Sequence, residues 1–402
     1  MRHIPFSPPD ISEDEVTEVL DTLKSGWITS GPKVKLFEEK IAEYTGVPNA
    51  VCLNSATAAM ELTLRILGVG LGDEVITSAY TYTASAAVIH HVGAKIVLVD
   101  TAKDSYEMDY DKLADAITDK TKVIIPVDIG GVMCDYDKVV AAVNSKKHLY
   151  QPTGEIQALF DKPIILSDAA HSFGAFLYGK KSGQAADFTC FSFHAVKNLT
   201  TAEGGAVVWP DVQGLDGEWM YQQFKLYSLH GQSKDAAAKL KPGAWEYDIL
   251  FPGYKCNMTD IAAAIGIKQL ERFNKLVARR KQIADIYDET LLPAGIVRLD
   301  HNNNAAPGNF HLYLARIPGI THDNRNTIIS RMAEQGIACN VHFKPLPLLT
   351  AYINLGFDID NYPNAYAQFA NEITLPLHTL LTDDDAQYVA HTFAAIIKNY
   401  IK

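Results

Sequence analysis

Ile164-Ile165-Leu166-Ser167-Asp168-Ala169-Ala170-His171 is the stretch on which the fold turns. A run of bulky apolar residues without polar alternation reads as a strand buried on both faces, the pattern of a parallel sheet. It stops on an acid, Asp168, followed by small residues and a histidine. Open α/β sheets bind ligands at the carboxyl ends of their strands. A carboxylate placed there is a candidate partner for a cationic ring nitrogen, and His171 is spaced to steer it through a hydrogen bond. An aspartate capping the next turn has the same look, so both readings stand at this point.

Similar runs lie on either side: Ala50–Leu53, Glu74–Ser78, Lys95–Asp100, Lys122–Val127, Pro163–Asp168 itself, Phe188–Phe193 and Ala206–Trp209. Helical patterns separate several of them, at Ala56–Leu67, Thr83–His91, Asp109–Ala116 and Tyr136–Ser145. This alternation predicts an α/β fold whose mostly parallel sheet is covered on both sides. Ser12-Glu13-Asp14-Glu15 is a capping box that opens a helix reaching about Lys24. Gln213–Pro252 has no clear period and reads as excursion and linker. A long helix follows from near Thr259 to Leu291. Strand Phe310–Ile317, helix Asp323–Gln335, strand Ile337–Phe343 and two further helices then suggest a smaller α+β unit. The expected division is a large domain over 1–252, and the long helix with a small C-terminal domain over 253–402.

Composition narrows the function. The chain has 402 residues, 48% hydrophobic and 21% charged, so disordered and fibrous classes are excluded. A net charge of −11 argues against non-specific nucleic-acid binding or an anionic membrane surface. Cys52, Cys134, Cys190, Cys256 and Cys339 are far apart and odd in number, which fits free thiols in a reducing cytoplasm and no metal site. No apolar run is long enough for a membrane span.

Gly68-Val69-Gly70-Leu71-Gly72 mimics a dinucleotide fingerprint, and with it an NAD-dependent oxidoreductase. A true fingerprint follows a strand and opens a helix; this one closes a helix and precedes a strand, so its glycines read as cap and turn residues. The opposite end of that helix is better suited to an anion. Asn54-Ser55-Ala56-Thr57 leaves a buried strand and opens the helix, where free N–H groups and the dipole favour phosphate. Plain N-capping remains the alternative.

The third element is Phe191-Ser192-Phe193-His194-Ala195-Val196-Lys197, continuing to Gly204-Gly205. A lysine among apolar and small residues at a strand end is partly desolvated, which lowers its pKa and makes its amine nucleophilic. A lysine on a surface loop is the commoner case. A phosphate cradle, a strand-end acid and a strand-end lysine on one sheet edge are the groups pyridoxal 5′-phosphate needs. Tyr82 is placed to lay an aromatic face on its ring.

At this point the sequence resembles the DegT/DnrJ/StrS family of sugar-nucleotide aminotransferases. The resemblance rests on Ser25–Pro32, Asn54–Thr57, Ser167–Gly174, Ser192–Gly205 and Gly253–Asp260, in order along nearly the whole chain. It implies the aspartate-aminotransferase-like fold, with a seven-stranded large domain and a small C-terminal domain. It also implies a homodimer with shared active sites. By resemblance, Lys197 is the Schiff-base lysine, Asp168 the partner of the ring nitrogen, and Tyr82 the stacking aromatic. Ala56, Thr57 and Ser192 bind the phosphate, and Asn257 reaches it from the other subunit. His171 lies in the cofactor site, and Thr29, His342 and Lys344 are candidate contacts to the sugar. Family members that dehydrate carry His in place of the lysine, so Lys197 points to transamination.

The implied reaction moves an amino group, glutamate being the expected donor, to C4 of a nucleotide-linked 4-keto-6-deoxy sugar. A UDP-linked 2-acetamido sugar is expected first and a TDP-linked one second. A dehydratase of the same family is the further alternative. Asn144–Pro163 is longer than usual, and Val127-Asp128-Ile129-Gly130-Gly131 departs from a His-containing version of that loop.

Overall fold

The structure is a computed structural model and describes residues 2–233, 246–303 and 305–400. Its first strands are β1 (Asn49–Leu53), β2 (Glu74–Ser78), β3 (Lys95–Val99), β4 (Thr121–Ile125) and β5 (Ile164–Asp168). A two-residue hairpin, β6 (Phe176–Leu177) and β7 (Lys180–Lys181), precedes β8 (Phe188–Ser192) and β9 (Gly205–Trp209). Seven of these form one sheet in the order β1-β9-β8-β5-β4-β2-β3. The five strands β8, β5, β4, β2 and β3 pair in parallel, whereas β9 runs antiparallel to both β1 and β8. Strands β1, β5 and β8 therefore point the same way. Their carboxyl ends share an edge with the start of β9. Strands β2, β4, β5 and β9 are buried along their whole length, as unalternating apolar runs demand.

Helix boundaries follow local chemistry. Ser12 and Glu15 form the expected capping box at the head of Glu13–Ser25. The long helix Asp260–Leu291 is capped by the Thr259 hydroxyl, which accepts from Ala262 N–H at 3.2 Å. Gly68 and Gly72 have positive φ, and Gly70 N–H donates to Asp73 Oδ2 at 3.0 Å, so the glycine cluster is a turn after a helix.

Three expectations are corrected. Ile337–Phe343 is not a ladder strand: among the described residues it makes only isolated bridges, Ile4 to Ile337 and Asn340 to Thr374. The reason is that His342 N–H is spent on a side chain, Glu372 Oε2, at 2.9 Å. The small sheet is instead β10 (Val297–Arg298), β11 (Tyr313–Arg316) and β12 (Glu372–Leu375), in that order. Strand β11 starts later than the apolar run because Phe310 has positive φ and the Asn309 side chain takes the His311 N–H. Inside Gln213–Pro252, Asp216 caps a helix, Gly217–Ser228, that buries Met220 and Phe224. The part of that stretch at 234–245 lies outside the described residues.

The long helix joins two apolar cores. Its first half contributes Ala263, Ile267 and Phe273 to a cluster with Phe37, Phe191 and Phe193 beneath the sheet. Its second half contributes Ile283, Tyr287 and Leu291 to a cluster with Ile328, Ile373 and Phe393, which also takes Ile4 from the N-terminal segment. Among the described residues no helix is long and apolar enough to cross a membrane.

Candidate active site

The carboxyl edge of β1, β5 and β8 opens into a cavity of about 510 Å³. Helix Ala56–Ile66 begins at this edge, two residues beyond β1. Ser55 is its N-cap, and its Oγ accepts from Ala58 N–H at 3.1 Å. The N–H groups of Ala56 and Thr57 belong to the first turn and have no intrahelical acceptor. Both residues line the cavity. Gly205 faces them across the edge, in register with Leu53 and Ser192. A Cβ on Gly205 would sit 2.3 Å from the Ser55 carbonyl carbon and 2.4 Å from Ala56 N. Only glycine lets β9 pass while the helix terminus stays in place.

Asp168 closes β5. Its Oδ2 accepts from the Ser85 hydroxyl at 2.6 Å and its Oδ1 from Ala170 N–H at 3.2 Å. The Thr81 hydroxyl lies 2.9 Å from that of Ser85. Burial pushes the Asp168 carboxyl up from its ordinary value, and the Ser85 and Ala170 bonds and the charge of Lys197 offset part of this. Its neighbour Asp128, also at the cavity wall, is pushed up to about 7 by burial, against bonds from the Ser172 hydroxyl, Cys134 N–H and Tyr136.

Lys197 sits in the loop between β8 and β9. Turn bonds from Lys197 N–H to His194 O (2.9 Å) and Thr201 N–H to Phe193 O (2.9 Å) shape that loop. Asn198 Nδ2 donates to Asn309 O at 2.8 Å, and the Ser7 hydroxyl donates to Val196 O at 3.3 Å. Remote segments on both sides thus fasten the lysine in place. Burial lowers its ammonium to about 8, with the Asp168 carboxylate opposing.

Of the residues expected at the site, Ala56, Thr57, Tyr82, Asp168, His171, Ser192, Lys197 and His342 line this cavity. Thr29, Asn257 and Lys344 do not. Asn257 Nδ2 donates to Ser30 Oγ at 2.7 Å, and its Oδ1 accepts from Lys255 Nζ. Tyr82 keeps 61% of its surface exposed, with its ring 6.0 Å from that of Phe343. His171 does not steer Asp168. Its Nδ1 accepts from Gly130 N–H at 3.1 Å, and its ring packs 4.5 Å from His311 and 5.8 Å from Phe343. The Asp128–Gly131 loop, through the Gly130 N–H, takes the ring nitrogen instead, which leaves the Asp168 carboxylate with acceptor capacity beyond its bonds from Ser85 and Ala170. Burial and the nearby Lys197 charge hold His171 well below the usual histidine range.

Sequence reading missed Ser85, Asp128 and His311. Nothing in the order of residues pairs Ser85 with Asp168, since they are 83 positions apart. A serine between alanines in Ala84-Ser85-Ala86, in a helix whose residues up to Ile89 are otherwise apolar, was the one available sign.

These groups fit pyridoxal phosphate. Gly205 leaves room beside the Ala56 and Thr57 N–H groups, which have no acceptor among the described residues, a buried carboxyl closes β5, and an amine of lowered pKa shares the cavity. The DegT/DnrJ/EryC1/StrS aminotransferase family profile matches residues 9–394. A spore coat polysaccharide biosynthesis protein, SpsC of Bacillus subtilis, is 35% identical over 98% of this chain and 97% of its own. A putative sugar aminotransferase of Streptococcus pneumoniae, Spr1654, solved with pyridoxamine phosphate, superposes with TM-score 0.97 at 54% identity, over 99% of this chain and 100% of that one. Its pyridoxal phosphate form gives 0.96 at 53%, over all of both chains. PseC of Helicobacter pylori, an aminotransferase of pseudoaminic acid biosynthesis, gives 0.85 at 28%, over 99% of this chain and 100% of its own. The chain therefore belongs to the DegT/DnrJ/EryC1/StrS aminotransferase family and is a pyridoxal-phosphate-dependent aminotransferase.

Proposed function

We propose that this enzyme transfers an amino group from an amino acid, glutamate first, to the C4 ketone of a UDP-linked 2-acetamido-4-keto-6-deoxy sugar, for glycan synthesis. The observation that carries transamination is Lys197, a lysine of lowered pKa in the cavity that also holds Asp168 and the Ala56–Thr57 terminus. The sugar class is supported by the relatives, two of whose names point to polysaccharide and pseudoaminic acid synthesis.

When bound, pyridoxal phosphate supplies an aldehyde that exchanges amino groups and a ring that takes up an electron pair. The chain does the rest. Ala56 and Thr57 N–H groups, with Ser192, hold the phosphate at a helix terminus. Asp168, kept in place by Ser85, holds a proton on the ring nitrogen. Lys197 Nζ takes a proton from the donor's α carbon and, in the second half-reaction, returns one to C4 of the sugar. Tyr82 offers an aromatic face to the ring. A lysine at position 197 can accept and release that proton near neutral pH because burial has lowered its pKa.

The test is to incubate the holoenzyme with glutamate and a panel of UDP- and TDP-linked 4-keto-6-deoxy sugars, and to identify products by mass and NMR. Amination at C4 of the UDP-linked acetamido sugar is expected. Exclusive use of a TDP-linked sugar would replace the substrate, and dehydration without amine transfer would replace the reaction.

The same reading makes the enzyme a homodimer in which Asn257 completes the partner's phosphate site. Its amide lies outside the cavity of its own chain. Mixing inactive Lys197→Ala and Asn257→Ala subunits, with exchange verified by differently tagged chains, should restore up to about half the activity per mixed dimer, since one site then carries neither lesion. Verified exchange without recovery would return Asn257 to its own chain's site.

A further inference from the structure

A short chain of hydrogen bonds leads from the cavity into the small sheet. His342 lines the cavity. Its Nδ1 lies 2.9 Å from Thr374 Oγ1, and that hydroxyl lies 2.6 Å from Glu372 Oε1. The other carboxylate oxygen, Oε2, accepts from the His342 backbone N–H at 2.9 Å. Glu372 and Thr374 alternate along β12, so they share one face, while Ile373 and Leu375 enter the apolar core on the other. Glu372 and Thr374 are both fully buried. No described residue hydrogen-bonds His342 Nε2.

Counting protons along this chain gives two states. Thr374 has one hydroxyl proton and two neighbours that can accept it. When Glu372 is ionised it can only accept, so Thr374 donates to it. His342 must then donate from Nδ1 to Thr374, and Nε2 is a bare lone pair. When Glu372 is protonated on Oε1 it donates to Thr374, Thr374 donates to Nδ1, and Nε2 carries the hydrogen. We propose that Glu372, acting through the Thr374 hydroxyl, decides which ring nitrogen of His342 is protonated, and so whether Nε2 is a donor or an acceptor. The change is a proton relay that balances by itself: a proton gained at Nε2 is matched by one passing from Nδ1 to Thr374 and one from Thr374 to Glu372 Oε1.

The surroundings favour this exchange over charging of the ring. Arg325, Arg316, Tyr80, Tyr106 and Cys339 surround Glu372; Lys197, His171 and His311 surround His342. Burial pushes the Glu372 carboxyl up to about 8, with Arg325 opposing only in part. Burial and the Lys197 charge hold His342 down to about 3, so its ring stays neutral while Glu372 titrates. Nε2 is thus a donor below about pH 8, suited to an oxygen of the substrate, and an acceptor above it. Naming a sugar as that substrate rests on the function proposed above; the relay does not.

Glu372 and Thr374 are positioning residues, so the test reads the ring itself. Holoenzyme labelled with ¹⁵N-histidine is titrated by NMR, the His342 signals being those lost in His342→Gln. Nε2 should pass from the protonated to the bare type as pH rises through about 8. Glu372→Gln, whose amide always donates to Thr374, should hold Nε2 protonated at every pH. Thr374→Val should abolish the exchange and Thr374→Ser restore it, a pair that still decides the matter if Glu372→Gln does not fold. A wild-type ring that does not exchange within about two pH units of that value, or a Glu372→Gln ring that titrates like wild type, would overturn the relay. No sugar enters the measurement. An enzyme that shows the exchange but aminates no sugar keeps the relay and loses the proposed substrate.

Discussion

Replacing Lys197 by alanine should lower turnover by at least about 10²–10⁴-fold, the span of a positioned acid–base group alone. The loss of the covalent anchor for the cofactor adds to it. Borohydride treatment of wild-type holoenzyme should leave a pyridoxyl group on the peptide containing Lys197, and Lys197→Ala should retain none. Label on another lysine would remove the assignment. A second measurement needs no turnover. In cofactor-free protein, burial lowers the Lys197 ammonium from 10.5 to about 8, with Asp168 opposing. Raising the pH frees the amine, so acetic anhydride labelling of Lys197 should climb through about 8. Labelling that climbs only near 10.5 would place the amine in water.

Asp168→Asn should cost about ten- to more than a hundredfold in turnover. This corresponds to losing a charge-assisted hydrogen bond worth roughly 1.5–3 kcal/mol at the ring nitrogen. The amide is nearly isosteric: its oxygen keeps the Ala170 N–H, and its NH2 donates to Ser85 Oγ once that hydroxyl turns its proton to Thr81, so the fold should survive. The sign for stability is opposite. Burial raises the folded-state pKa of Asp168 above its ordinary 3.8. Folded protein therefore holds this proton more tightly than unfolded chain, and its contribution to stability falls as pH rises from about 3.8 through the folded value. Asp168→Asn removes that slope. Cofactor-free variant should melt no lower than wild type near neutral pH, while turnover collapses. Near-wild-type turnover would refute the role.

The sequence disclosed the large sheet well, because strands buried on both faces have no alternation to blur. Glu74–Ser78 and Tyr136–Ser145 match to the residue, and the Ser12 and Thr259 caps mark their helices. It disclosed the small sheet poorly. Ile337–Phe343 has the apolar content of a strand, but the Glu372 side chain takes a backbone N–H that a strand would spend on its neighbour. At the site, motifs revealed residues at strand ends: Asp168, Lys197, and the Ala56–Thr57 terminus. They did not reveal the residues that hold those in position. Ser85, Asn198 and Glu372 act through contacts 83, 111 and 30 positions away, distances at which local pattern carries no signal. His171 shows the converse, a plausible spacing overruled by a better-placed partner.

The antiparallel insertion of β9 has a consequence for synthesis. β1 lies at the edge of the sheet and pairs with β9, Asn49 with Trp209, 160 residues apart. A ribosome adding about 5–20 residues per second makes β1 and then leaves it without its partner for roughly 10–30 s. Throughout that interval the apolar stretch Ala50-Val51-Cys52-Leu53 lacks the β9 backbone it pairs with in the fold, and an unpaired apolar strand is the usual template for pairing with another chain. The terminus at Ala56 likewise has no Gly205 beside it until β9 arrives, so the cofactor meets a finished cradle only after half the polypeptide has been made. The yield of active enzyme in a cell then depends on what covers the earliest strand during those seconds, and slower growth at lower temperature, which thins the crowd of nascent chains, should raise it.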